Sequence, residues 1–201
     1  MVHRLSGLML AGASALSLSA CMTGADAGMD AMGASASASA SSNVMVGGAA
    51  MYANRNIIQN AVNSRDHTTL VAAVQAAGLV DTLSGAGPFT VFAPTNAAFQ
   101  RLPAGTVDTL LQPANRQMLQ NVLTYHVVPG RLTAADLMAQ IRAGGGTARL
   151  TTASGGTLTA RMSGNAIVLT DARGGMATVT QADVMQSNGV IHVTNAVSVP
   201  G

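Results

Sequence analysis

Three turn-forming clusters cut the last third of this chain into short runs, and their spacing narrows the fold more than any other feature. Ser154-Gly155-Gly156, Ser163-Gly164-Asn165 and residues 171–175 (DARGG) separate β-prone runs at 148–152, 157–162, 166–170 and 177–180. Short runs rich in Thr, Val, Ile and Leu, joined by such clusters, predict antiparallel strands. Residues 190–193 (VIHV) and 197–199 (VSV) are expected to finish the same sheet.

The preceding part of the chain reads as helical. Asp66 stands as an N-cap, Leu70, Val71, Val74 and Ala77 share one face, and Gly78 supplies the stop. Residues 56–62 form a shorter helix with Ile57, Ile58 and Ala61 inward. Residues 89–93 read as a strand between Gly87-Pro88 and Pro94, and Thr95 caps a turn that carries Phe99 into the core. Pro113 opens a helix with Met118, Leu119, Val122 and Leu123 as its inner face. Residues 125–128 (YHVV) are expected to be extended up to Pro129-Gly130. No element is assigned between Gly130 and Ala143; residues 143–147 (AGGGT) read as a bare connection, with a binding loop as the alternative. Helices first and mostly antiparallel strands later make an α+β domain over residues 54–201.

With no Trp, two Tyr and three Phe, the core of this domain must come from Leu, Val, Ile, Ala and Met. Close packing of such small groups is sensitive to each methylene. A domain of this length buries about two-thirds of its unfolded surface, which suffices without metal or disulfide. The single cysteine, Cys21, excludes an internal disulfide. Lys and Glu are absent, and removal of residues 1–20 leaves nine arginines against eight aspartates. The arginines are scattered and not interleaved with aromatics, so a nucleic-acid partner is not expected.

Residues 1–20 read as an export signal. A short basic start precedes an apolar run at 5–18 that is too short to span a bilayer. Leu18-Ser19-Ala20-Cys21 resembles the bacterial lipobox. That resemblance implies cleavage before Cys21, a lipidated thiol and an acylated amino group; Met22 in place of Asp implies the outer membrane. Several acyl chains, at about 0.8 kcal/mol per buried CH₂, give stable anchoring. The alternative is an accidental cysteine in an ordinary secretory signal.

Residues 21–53 are mostly Ala, Ser, Gly and Met, with ASASASASS at 34–42. They read as a flexible tether spanning roughly 30 Å. Met22, Met29, Met32, Met45 and Met51 sit in it. Thioethers are soft ligands suited to Cu(I), and Met29 with Met32 is the candidate pair. Drift in a small-residue segment is the other reading of these methionines.

Residues 89–99 (FTVFAPTNAAF), 125–130 (YHVVPG) and 188–200 (NGVIHVTNAVSVP) together resemble the fasciclin domain. The resemblance covers residues 54–200 and implies a β-sheet wedge carrying a cluster of helices. It also implies adhesion or interaction with a protein or polysaccharide partner. The positions that carry it are Phe89, Phe92, Pro94, Thr95, Phe99, Tyr125, His126, Pro129, Gly130, Asp183, Asn188, Gly189, His192 and Asn195. In animal members the Tyr-His segment and an Asp-Ile pair, here Asp183-Val184, are linked to adhesion. Leu123, Val127 and Val128 around Tyr125-His126 instead favour a buried, structural role. Alternation puts His192 opposite Ile191 and Val193, facing a partner across the sheet. Where the family commonly has Ile-Asp, this chain has Thr194-Asn195, which keeps a turn or capping role but loses a charge.

Catalysis has no foothold in the sequence. There is no Gly-x-Ser-x-Gly elbow, no phosphate-cradling loop and no metal motif, and no cofactor is implied. No carboxylate or cysteine lies at ligand spacing from His126 or His192. The expectation is a non-catalytic binding module, lipid-anchored in a bacterial envelope with its domain in the periplasm or at the cell surface. The rivals are a metal or small-ligand carrier and a structural envelope component.

Overall fold

Two strands that are far apart in sequence lie side by side at the centre of the structure. In the computed structural model, which describes residues 43–201, β3 (Phe89–Pro94) and β9 (Gly189–Thr194) pair in parallel, Phe89 opposite Gly189 and Phe92 opposite His192. Around them a seven-stranded sheet runs β4-β3-β9-β8-β7-β6-β5. The other strands are β4 (Val127–Pro129), β5 (Thr147–Thr151), β6 (Thr157–Ser163), β7 (Ala166–Thr170) and β8 (Met176–Gln186). Every pairing except β3–β9 is antiparallel. Register shifts along β8, with Asp183 at φ 57°, bend the sheet between its two halves.

The helices are α1 (Ile57–Ala61), α2 (Thr68–Ala77), α3 (Val80–Ser84), α4 (Asn96–Gln100), α5 (Thr106–Leu111), α6 (Arg116–Tyr125) and α7 (Ala134–Ala143). One core cluster joins α1, α2 and α6 to β3 and β9 through Ile57, Val74, Leu123, Val91 and Ile191. The other lies under α7, where Leu137 and Ile141 meet Phe92, Leu158 and Leu169. The fold is α+β, with a bent sheet wedge that carries helices.

Several expectations need correction. Residues 44–51 do not belong to the tether. They form a hairpin, β1 (Val44–Val46) and β2 (Ala49–Met51), that turns at Gly47 and Gly48, both at positive φ. Two successive positive-φ residues make the tight turn whose twist matches a hairpin, so Gly-Gly between apolar triplets was a readable signal. Val46 and Met51 join the core at 5 % exposure each. The folded region therefore starts ahead of residue 54.

Residues 134–143 form α7, opened by a capping box in which Thr133 Oγ1 accepts from Asp136 N and Asp136 accepts from Thr133 N. Asp66 is not the cap of α2. Asn96, at the start of α4, accepts from Thr69 N at 3.0 Å and donates to the Arg65 carbonyl, capping the helix from a distant segment. In α1 Asn60 is buried alongside Ile57, while Ile58 and Ala61 are half-buried, with Ile58 against the same core. Met118 is 57 % exposed, because the buried stripe of α6 is centred on Leu119, Val122 and Leu123. Tyr125 ends α6 and His126 is its C-cap, so neither is in an extended strand. Residues 197–199 form no strand. The expected caps at Gly78 and Thr95 are present, the latter accepting from Ala98 N.

The residues expected in the signal and anterior tether, including Cys21, Met22, Met29 and Met32, lie outside those described. Among the described residues no helix is long and apolar enough to cross a membrane.

If residues 44–51 are folded rather than tether, Met51→Ala lowers unfolding stability by about 2–4 kcal/mol. Met45→Ala, on the exposed face of the same hairpin, changes it by less than about 0.5 kcal/mol. Equal, negligible effects in urea titrations would return the hairpin to the tether.

Candidate functional site

The family-motif positions converge on the central strand pair and its two ends, and there each side chain is committed to the architecture. At one end, Asn188 sits in the β8–β9 turn, 6 % exposed. Its Oδ1 accepts from Ile57 N at 3.0 Å, and its Nδ2 donates to the carbonyls of Leu83 (2.8 Å) and Gly85 (2.9 Å). Its own carbonyl accepts from Phe89 N. Beside it a Cβ on Gly189 would stand 2.0 Å from the Phe89 carbonyl oxygen, so β3 and β9 approach only because that position is glycine.

In the middle, Phe92 and His192 are fully buried and their rings stack at 5.6 Å between centroids. His192 Nε2 donates to the Leu132 carbonyl at 2.8 Å, and Nδ1 accepts from Asp183 N at 3.3 Å. Asp183 in turn accepts from Ala134 N at 2.7 Å through Oδ1. The expectation that His192 serves a polar partner is met by two backbone groups, one in the β4–α7 connection and one in β8.

His126 is 3 % exposed. Its Nδ1 donates to the Val122 carbonyl at 2.7 Å, and Nε2 accepts from Ser198 N at 2.9 Å. Tyr125 donates to the Thr157 carbonyl at 2.7 Å and accepts from Ala172 N at 3.1 Å. Asp171, which no motif flagged, completes this corner by accepting from Gly175 N and Arg173 N through Oδ1 and from Val199 N through Oδ2. The C-terminal segment is thus latched by His126 and Asp171. Asp at the head of a Gly-rich turn is the signal that could have found it.

The remaining positions follow the same logic. Thr95 caps α4 behind Pro94, Phe99 is 8 % exposed, and Gly130 N bonds the Pro88 carbonyl. Pro129, opposite Phe89 in β4, is the exposed motif side chain. Asn195 accepts from Thr178 N at 2.9 Å through its side chain and extends the β8–β9 pairing, a role that needs no charge.

The two motif histidines use both ring nitrogens and have none left for a ligand. Among the described residues no group of three or more His, Cys, Asp or Glu is arranged to hold a metal ion. An apolar cavity of about 40 Å³, lined by Val46, Met51, Val74 and Val91 among others, lies inside the first core. That is far below the roughly 300–1,000 Å³ of a ligand pocket. His67 lies at its wall, with Nδ1 2.9 Å from Ser64 Oγ. Its Nε2 is buried without a hydrogen-bond partner.

Comparison with known proteins agrees with this architecture. The family model described as the fasciclin domain matches residues 65–200. The chain belongs to the fasciclin family. Protein sll1483 of Synechocystis is 42 % identical over 179 residues, covering 89 % of this chain and 92 % of that protein. The cell surface glycolipoprotein MPB83 of Mycobacterium bovis is 52 % identical over 59 residues, 29 % of this chain and 26 % of that one. Among solved structures, the domain pair of the insect cell adhesion molecule fasciclin I superposes with a TM-score of 0.64. It does so at 17 % identity, over 71 % of this chain and 50 % of that one. At that identity the likeness concerns the fold.

Burial holds the pKa of His67, His126 and His192 below the usual histidine value; their carbonyl contacts oppose the shift without cancelling it. The unfolded chain therefore binds more protons than the folded one once pH drops below about 6.5. Stability is fully present above that value. It declines as pH falls from there towards each folded-state pKa, by up to about 1.4 kcal/mol per pH unit for each ring. Urea midpoints measured from about pH 7.5 down to about pH 5 should fall, and His192→Gln should flatten the slope while lowering the midpoint at neutral pH. A midpoint constant across that range contradicts the burial of these rings.

Proposed function

We propose that this fasciclin-family protein is a non-catalytic binding module held at a bacterial envelope by lipid on Cys21, and that it acts in attachment of the cell to surfaces or other cells. The observation that carries this reading is the fate of the motif residues. Tyr125, His126, Asn188 and His192 are consumed in holding the wedge together, and binding is left to the outer surface. Among the described residues no nucleophile, base or metal set emerges from the motif network, whose two histidines, His126 and His192, are bonded at both nitrogens.

Two relatives support the same direction. Fasciclin I is named as a cell adhesion molecule, and MPB83 as a cell surface glycolipoprotein. The export signal ending in Leu18-Ser19-Ala20-Cys21 supplies the matching anchor here, with Met22 directing it to the outer membrane. Residues 22–42 then give reach, and many copies on one cell make weak individual contacts effective through avidity.

Cells carrying the wild type, Cys21→Ala and a deletion of residues 43–201 separate the possibilities. The proposal expects Cys21→Ala to release the protein from membranes and both variants to reduce attachment to the level of cells lacking the protein. Immunoblotting should show normal export of the Cys21→Ala form. Unchanged attachment in both would remove adhesion as the function. Increased detergent sensitivity without an attachment defect would indicate a structural envelope component instead.

A further inference from the structure

The outer face of strands β5 to β8 carries no helix and has a composition of its own. Strand register fixes which side chains share it. Arg149, Thr159, Thr170 and Met176 form one row across the four strands. In the next, Thr147, Arg161 and Thr178 flank Val168, which is itself buried, and Thr151 with Thr157 begins a third. The opposite face, with Leu150, Leu158 and Leu169, is the buried one that packs under α7. Arg149, Arg161 and Met176 are exposed, and Arg161 Nη2 lies 2.9 Å from Met176 Sδ.

Among the described residues no carboxylate stands on this face. The described residues include nine arginines and six aspartates. Asp66, Asp81, Asp108 and Asp136 belong to the helices and their first turns. Asp171 turns its oxygens onto backbone N–H groups, and Asp183 accepts from Ala134 N. The two guanidinium groups are thus left uncompensated among threonine hydroxyls. Edge protection explains a charge on β5, the last strand of the sheet, but not on β6, which is paired on both sides.

We infer that this face is the docking surface for an acidic polysaccharide, a choice that rests on the adhesion reading above. Arg149 and Arg161 occupy diagonal positions on neighbouring strands, which places their backbones about 7–8 Å apart and their Cβ atoms somewhat closer. Each presents a planar fork that matches a carboxylate bidentately. The threonines around them donate and accept hydrogen bonds, as a chain of sugar hydroxyls requires. The face has no aromatic side chain on which bases would stack, which separates it from a single-stranded nucleic-acid platform.

The test uses immobilised alginate, a polymer of uronic acids, with neutral dextran and phosphatidylglycerol vesicles as comparators and the whole protein as analyte. The expected result is retention on alginate that weakens with added salt, with little on dextran. Arg149→Gln with Arg161→Gln should weaken it by at least about tenfold. Arg65→Gln with Arg101→Gln removes the same charge from the helical side and should retain most binding. Circular dichroism should show both pairs folded. Equal loss in the two pairs, equal retention on dextran, preference for the vesicles or no binding to alginate would each overturn the inference. If alginate fails while attachment still depends on residues 43–201, only this inference falls. If alginate binds while attachment is unaffected, the adhesion reading falls and this surface stands.

Discussion

The side-chain amide of Asn188 closes the structure. It is one group with one acceptor and two donors, and it takes an N–H from α1 and gives both of its own to the end of α3. Those partners lie more than a hundred residues away in sequence, and each is a helix end that would otherwise be unsatisfied in a buried place. Because the amide is desolvated, its geometry is stringent: a half-satisfied arrangement would be worse than none. Gly189 beside it permits the close approach of β3 to β9, so one dipeptide sets both the helix cluster and the central strand pair. The Phe92–His192 stack then continues along the same seam.

From this follows a division of labour between inside and outside. The residues by which fasciclin domains are recognised hold the wedge in shape, and their side chains reach backbone partners rather than solvent. Tyr125 and His126, the pair linked to adhesion in animal members, are among the least accessible side chains in the molecule. Any contact made through that segment would have to involve its exposed neighbours. Chains with the same interior can therefore present unrelated surfaces, and any binding by this one falls to the side chains outside the frame.

The antiparallel meander and the strand at 89–93 were legible because turn clusters and alternation are local signals. The caps at Gly78 and Thr95 were legible for the same reason. The motif residues were identified, and their structural bias was readable from the apolar neighbours of Tyr125. What local pattern did not convey was which end of an element a residue occupies: Tyr125-His126 reads as extended, yet continues the helical stripe of Leu119, Val122 and Leu123. Asn60 and Asn96 are polar and look like surface residues, but Asn60 donates to Gln186 Oε1 and Asn96 accepts from Thr69 N, distant partners that no spacing in the sequence reveals. The hairpin at 44–51 carried a legible turn signal at Gly47-Gly48, outweighed by the small-residue composition around it. Small residues suggest a coil, although two buried positions, Val46 and Met51, suffice to dock it once a core exists.

The motif histidines are locked structural groups, and nitrogen NMR of their rings tests this most directly. His126 has a carbonyl at Nδ1 and an N–H at Nε2, whereas His192 has the reverse. At neutral pH the spectra should show two neutral rings in opposite tautomers, His126 protonated at Nδ1 and His192 at Nε2, both with slowly exchanging ring protons. Two rings that exchange freely between tautomers and titrate near about pH 6.5 would contradict it. The motif would then have to be regarded as an accessible site.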